Sequence, residues 1–145
     1  MFNPLPVVTN DGLIGYMDLL VWSLANGGNN CRVHLFSNNY QPDFGTVLGS
    51  FVEMVGAGYT PLPTGNPINL GIDLLRRDVW QFPELTWTAL GIGLPVAAYG
   101  YWVDFLDPIT LATRVLWAQR FQSPQVMRLA GDTIKFALSW GGRQC

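Results

Sequence analysis

Residues 132–140 read DTIKFALSW, and apolar and polar side chains alternate along this stretch. The apolar members are Ile134, Phe136, Leu138 and Trp140, and the polar residues between them include Thr133, Lys135 and Ser139. Because successive side chains of a β-strand point to opposite faces, this period of two predicts a strand with one buried face. The Gly131-Asp132 pair in front of it predicts a tight turn.

The same period of two recurs upstream, where Cys31, Val33 and Leu35 share one face and Arg32 and His34 share the other. Further strands are predicted at residues 46–54, 70–74, 85–88, 96–105 and 110–121. Residues 111–120 also fit helical spacing, but their β-branched and aromatic content favours a strand. Residues 56–67 are predicted as a turn-rich connection without regular pairing, because they contain Pro61, Pro63 and Pro67.

One helix is predicted before the strands, at residues 11–26. Its apolar positions recur at spacings of three and four, which places on one face Leu13, Met17, Leu20, Val21 and Leu24. Asn10 can cap its start, and Gly27-Gly28 can end it. The chain therefore divides into an extended N-terminal arm, residues 1–9, and a single domain, residues 10–145, with its β region at residues 31–141.

Six or seven short strands without alternating helices predict a mainly β fold, an antiparallel β-sandwich or barrel with one N-terminal amphipathic helix. A length of 145 residues suits one such domain. Residues 85–103 carry no charge over nearly the length of a membrane span. Because Gly91, Gly93 and Pro95 interrupt them, we expect two strands joined by a turn and no membrane contact.

The composition predicts a protein partner. Of the residues, 49% are hydrophobic and only 12% are charged, against about 25% charged in a typical soluble domain. So short a chain has too little interior for so many apolar side chains, and large exposed apolar patches usually mark interaction sites. The net charge is −2 and the eight basic residues are spread along the chain, so we expect no direct contact with nucleic acid.

No set of residues for catalysis, for a cofactor or for a metal emerges, and the chain is predicted not to be an enzyme. His34, the only histidine, is interpreted as a strand residue on the more polar face. Asp104 and Asp107 are interpreted as turn residues rather than as an acid and base pair. Cys31 and Cys145 form neither a disulfide framework nor a zinc-type spacing, and a single bridge between them is the remaining alternative. No secretory signal is visible, so a reducing compartment is expected.

The candidate partner-binding residues are Pro4, Pro6, Arg76, Arg77, Trp102 and Trp140. The prolines lie in the extended arm, and the arginine pair is a charged island that suits an interface rim or a solvated strand end. Tryptophans concentrate both in cores and at interface hot spots. Trp87 and Trp117 are assigned to the core, whereas Trp102 and Trp140 fit either place.

Six short segments, in order along the chain, carry a resemblance. They are Asn10-Asp11-Gly12-Leu13, residues 34–39 (HLFSNN) with the nearby Pro42, residues 56–61 (GAGYTP), residues 99–104 (YGYWVD), residues 117–121 (WAQRF) and residues 131–134 (GDTI). In this layout the chain resembles the small virion structural proteins of tailed bacteriophages, such as capsid decoration or cement proteins. The resemblance implies binding to a capsid lattice and no enzymatic residues.

We therefore expect a virion protein, made in the host cytoplasm, that binds the major capsid protein and stabilises its lattice by preferring the assembled state. Self-association into a dimer or trimer would let one unit bridge several subunits. Two alternatives remain open: a tail or neck component of a phage, and a carbohydrate-binding module on a fibre. The second alternative predicts an exposed row of tryptophans.

Overall fold

The computed structural model describes residues 7–9, 31–65, 68–72, 78–107 and 109–141. Its strands are β1 (Val7–Val8), β2 (Cys31–Phe36), β3 (Leu62–Pro63), β4 (Ile68–Ile72), β5 (Asp78–Thr88), β6 (Val96–Leu106), β7 (Thr113–Met127) and β8 (Thr133–Gly141). A single turn of 3-10 helix at Leu48–Ser50 is the one helical element within those ranges. The predicted mainly β fold is confirmed.

The strands form two antiparallel sheets. Sheet A has the order β1-β7-β6-β2-β3, and sheet B has the order β4-β5-β8. In the part of the chain that is described, neither sheet closes into a barrel. No helix among the described residues has the length and apolar character of a membrane span.

One hydrophobic core is shared by the two sheets. The alternation of β2 buries Val33 and Leu35 completely, and Leu85, Trp87, Ile134 and Leu138 of sheet B belong to the same core. Tyr101 of β6 and Phe136 of β8 join the sheets through rings whose centroids are 4.9 Å apart. The period of two along each strand therefore identifies the core-facing side of both sheets.

A second, smaller core covers the outer face of sheet A, the face turned away from the shared core. It consists of the buried residues Phe36, Phe51, Trp102, Val115 and Ala118, with Tyr40 and Tyr99 packed against them. Phe51 comes from residues 37–55, which we call the covering segment. Because both faces of sheet A are covered in its centre, β6 is buried from Gly100 to Phe105 without interruption.

Most of the predicted strands are confirmed, including β7, where a helix was the alternative, and β8. The strand predicted at residues 46–54 is wrong: this stretch contains the 3-10 turn, and only Glu53 forms a bridge, to Phe36. Backbone groups of this stretch bond to the side chain of Asn38 rather than to a neighbouring strand. The Asn38 amide donates to Ser50 O, and its oxygen accepts from Val52 N. Pro63 also pairs with Arg32, against the expectation for the turn-rich connection.

The predicted helix at residues 11–26 lies outside the described residues and stays a prediction, as does most of the predicted arm. Of the arm, Val7 and Val8 pair with Ala118 and Trp117 of β7 in the same chain. The Thr9 hydroxyl is buried and donates to Val115 O at 2.7 Å. Val7 and Val8 are therefore part of sheet A, and the side chain of Thr9 is attached to it.

Candidate functional site

His34 lies on the outer face of sheet A, between two carboxylates. Its Nδ1 is 2.8 Å from Oε1 of Glu53, and its Nε2 is 3.1 Å from the carboxylate of Asp104. Glu53 belongs to the covering segment, whereas Asp104 belongs to β6. The imidazole therefore connects the covering segment to the sheet, and we call the three residues the His34 bridge.

The pairing of β2 with β6 positions the bridge. It places His34 opposite Trp102 and Arg32 opposite Asp104. The imidazole stacks on the indole of Trp102 with 4.6 Å between centroids and 5° between planes. The indole Nε1 in turn donates to Oδ2 of Asp104 at 3.1 Å. Asp104 is thus held by two donors in a buried position.

Glu53 is held from three directions. Tyr59 donates its hydroxyl proton to Oε1 of Glu53 at 3.0 Å and accepts a hydrogen bond from Leu35 N at 2.9 Å. On either side of Glu53, Ser37 N donates to Val52 O and Met54 N donates to Leu35 O, both at 2.8 Å. The covering segment therefore runs beside β2 as a short irregular neighbour, fixed by backbone bonds and by the His34 bridge.

The surroundings of His34 favour its protonated form. Burial alone lowers the pKa of the imidazole, but the hydrogen bonds and negative charges of Asp104 and Glu53 outweigh burial and raise the pKa above its ordinary value. Burial also raises the pKa of Tyr59, so its hydroxyl stays protonated and continues to donate. The bridge therefore carries one more proton below the raised pKa of His34 than above it.

In this arrangement neither ring nitrogen of His34 is open to a substrate, because each faces a carboxylate. Within the described ranges, no group of three or more histidine, cysteine, aspartate or glutamate residues is placed to hold a metal ion. The His34 bridge thus joins the covering segment to β6 through both ring nitrogens.

Large apolar side chains are exposed along the covering segment and beyond it. Those of the segment are Phe44, Val47, Leu48, Val52 and Val55. The following turn, residues 56–58, is joined to residues 89–93 by hydrogen bonds, among them Leu90 N to Ala57 O at 2.8 Å. Residues 89–93 expose Leu90 and Ile92, and the neighbouring β7–β8 turn exposes Leu129. These eight exposed residues form what we call the apolar rim.

The predicted partner-binding residues lie in different places. Pro4, Pro6, Arg76 and Arg77 are outside the described residues. Trp102 is only 3% exposed, inside the smaller core, so a partner could reach it only if the covering segment moved aside. Trp140 pairs with Trp80 of β5, and only its backbone position in β8 is described. The assignment of Trp87 and Trp117 to the core is confirmed.

The two aspartates interpreted as turn residues differ. Asp107 does make a turn, because its Oδ1 accepts from Ile109 N at 2.8 Å and its Oδ2 accepts from Nε of Arg114 at 2.8 Å. For Asp104 the interpretation is wrong, since it lies in β6 and faces His34. Sequence reasoning also missed Glu53 and Tyr59. The one signal for Glu53 is that residues 44–60 contain no other charged residue.

Comparison of the chain with protein-family models, with curated proteins and with solved structures gave no match.

Proposed function

We propose that the chain is a non-enzymatic structural protein that binds a neighbouring protein chain through its apolar rim. The observation that supports this proposal is the exposure of the eight rim side chains, which are 40–78% accessible. Exposed apolar patches of this kind usually mark interaction sites, since covering them with a partner removes apolar area from water. The low charged fraction of the chain agrees with this interpretation.

The rim is held in place before any partner arrives. Phe51 packs into the smaller core, the His34 bridge fixes Glu53, and backbone hydrogen bonds hold both ends of residues 52–54 against β2. A surface ordered in this way loses little conformational freedom on binding, which favours affinity. In this proposal the two sheets form a β-sandwich, and the covering segment on the outer face of sheet A carries five of the eight rim residues.

More specifically, we propose that the chain is a virion protein of a tailed bacteriophage, and that it binds and stabilises the lattice of the major capsid protein. Two of the segments that carry the resemblance, residues 34–39 and 56–61, lie on either side of the rim residues of the covering segment, which fall within residues 44–55. Binding the assembled lattice but not the separated subunits would shift the equilibrium toward the shell. Self-association as a dimer or trimer would add avidity.

Two alternatives make different predictions. A tail or neck component would be present at far fewer copies per particle than a lattice-binding protein. A carbohydrate-binding module would use exposed tryptophans, but Trp87, Trp102 and Trp117, the tryptophans whose side chains are described, are 3–6% exposed. The burial of these three rings favours a protein partner over a glycan.

The proposal is tested in two steps. Quantitative mass spectrometry of purified phage particles should give a copy number in a simple ratio to the major capsid protein. In co-sedimentation, the affinity for capsids should then fall at least about tenfold for the double variant Val55→Ser and Ile92→Ser. The variant loses two apolar side chains that binding would bury. Val126→Ser is the matched control, because Val126 is 42% exposed on β7 and outside the rim.

The variants must keep the urea midpoint of the parent protein, so that a loss of binding is not a loss of fold. Equal binding by the rim variant and the control would overturn the role of the rim. Absence of the chain from particles would overturn the virion form of the proposal, and a few copies per particle would assign it to the tail or neck.

A further inference from the structure

We propose that the His34 bridge is a proton-dependent switch, in which the imidazolium fixes the covering segment to sheet A and loss of the proton releases Glu53. The inference concerns regulation of the apolar rim, and its consequence for binding rests on the proposed function. The release itself is a property of the folded chain and requires no partner.

The geometry requires a proton on each ring nitrogen. Both nitrogens lie within hydrogen-bond distance of carboxylate oxygens, and an ionised carboxylate can only accept hydrogen bonds. An imidazolium has two N–H donors and satisfies both contacts. A neutral imidazole has one donor and one lone pair, so deprotonation turns one of the contacts into a repulsion between lone pairs.

The contact to Glu53 is the one that opens. The side chain of Asp104 is 9% exposed and is also held by the indole N–H of Trp102. The side chain of Glu53 is 41% exposed, so water can replace the ring as its partner while Tyr59 continues to donate to it. The neutral ring therefore keeps its proton on Nε2 toward Asp104, and Nδ1 loses its contact with Glu53.

The charged and titratable groups around the ring come from three elements among the described residues. Glu53 and Tyr59 belong to the loop between β2 and β3, Asp104 belongs to β6, and Arg32 is two residues away on β2, opposite Asp104. Burial keeps the hydroxyl of Tyr59 neutral, and the imidazole of His34 changes charge as pH rises through its raised pKa.

Release of the Glu53 carboxylate removes one contact that holds part of the rim. Glu53 lies between Val52 and Met54, and Val52 and Val55 expose their side chains in the rim. After release, residues 52–55 keep their backbone hydrogen bonds to Leu35 and Ser37 but lose the side-chain contact to His34. The rim residues Val52 and Val55 are thus held by one more contact in the protonated state than in the deprotonated state.

The test is an NMR titration of the whole chain from about pH 5 to pH 9, around the ordinary range of histidine. His34 is the only histidine, so its ring nitrogens give one unambiguous set of signals. We expect a midpoint above the ordinary value of 6.5, a neutral form protonated on Nε2, and backbone amides of Val52, Met54 and Val55 that titrate with the same midpoint.

Two variants test the role of Glu53 in the titration. Glu53→Gln should lower the midpoint and abolish the coupled shifts of residues 52–55, and it should fold because the side chain is partly exposed. Glu84→Gln is the matched control, since it removes an exposed carboxylate of sheet B and should leave the midpoint unchanged. A neutral form protonated on Nδ1, or amides of residues 52–55 that do not follow the ring, would overturn the switch.

The outcomes separate the two proposals. If the coupled titration is found but rim variants bind capsids normally, the switch stands and the proposed function fails. If the rim variants lose binding but the coupled titration is absent, the proposed function stands and the switch fails.

Discussion

The phenyl ring of Phe51 lies parallel to the indole of Trp102, with 4.8 Å between the ring centroids and 5° between their planes. Phe51 also contacts Phe36 of β2 and Tyr40 of the covering segment, with centroids 5.1 Å and 5.6 Å away. One side chain therefore joins the covering segment to two strands of sheet A.

Removing that side chain should destabilise the protein. Phe51→Ala leaves a cavity between Trp102 and Phe36, and we expect a loss of about 3 kcal/mol in the free energy of unfolding, the lower end for a buried phenylalanine. Urea denaturation followed by tryptophan fluorescence measures it. Phe44→Ala, in the same segment but 57% exposed, should change stability by no more than about 0.5 kcal/mol. Equal effects of the two variants would contradict the smaller core.

Gly100 is expected to tolerate no side chain. An added Cβ would overlap the carbonyl oxygen of Gln119 and the ring of Phe36, so Gly100→Ala must shift β6 away from β7 or displace the ring. Overpacking of this kind costs about 1–3 kcal/mol, measured as a lower urea midpoint. Gly49→Ala is the control, because nothing lies within 4 Å of its added Cβ. An unchanged midpoint for Gly100→Ala would refute the close approach of these strands.

Stability should fall as pH rises through the neutral range. The folded-state pKa of His34 lies above its ordinary value of 6.5, so the folded state binds the proton more tightly than the unfolded state does. The resulting stabilisation is complete below about pH 6 and is lost as pH rises through the folded-state pKa. Thermal unfolding midpoints of the parent protein and of His34→Gln should therefore converge with increasing pH. A constant difference would contradict the expectation.

Cys31 should be unreactive in the folded protein. Burial, with the negative charge of Asp104, raises the pKa of its thiol to about 11, and the thiolate is the reactive form. In a Cys145→Ser variant, which leaves one cysteine, an aromatic disulfide reagent at pH 8 should label Cys31 only after urea is added. Rapid labelling of the native protein would show that the start of β2 opens.

The strands were predictable where one face is buried and the other is in water. In β8 the alternation of Ile134, Phe136 and Leu138 with Thr133 and Lys135 reflects that geometry directly. The strand prediction at residues 46–54 failed because the apolar side chains there do not alternate between a buried face and an exposed face. Phe51 and Met54 are buried, whereas Val47 and Val52 are exposed, a pattern with no strand period.

The site was not predictable, because its residues are distant in the sequence. His34 is 19 residues from Glu53 and 70 residues from Asp104, and no local motif links them. Their meeting depends on the register between β2 and β6 and on the return of the covering segment along β2. Register is decided by tertiary packing. The position of His34 on a polar face therefore predicted a strand but did not identify its partners.

The pairing of Val7 and Val8 with the middle of β7 has a consequence for how the chain is synthesised. The Thr9 hydroxyl bonds a carbonyl 106 residues later in the chain, and β2 must wait for β6. Contacts between such distant parts form late and slowly. In a nascent chain β1 therefore has no partner until β7 has been synthesised, and β2 can pair only with the short β3 until β6 has been synthesised. Unpaired edges of apolar strands are prone to aggregation during that interval.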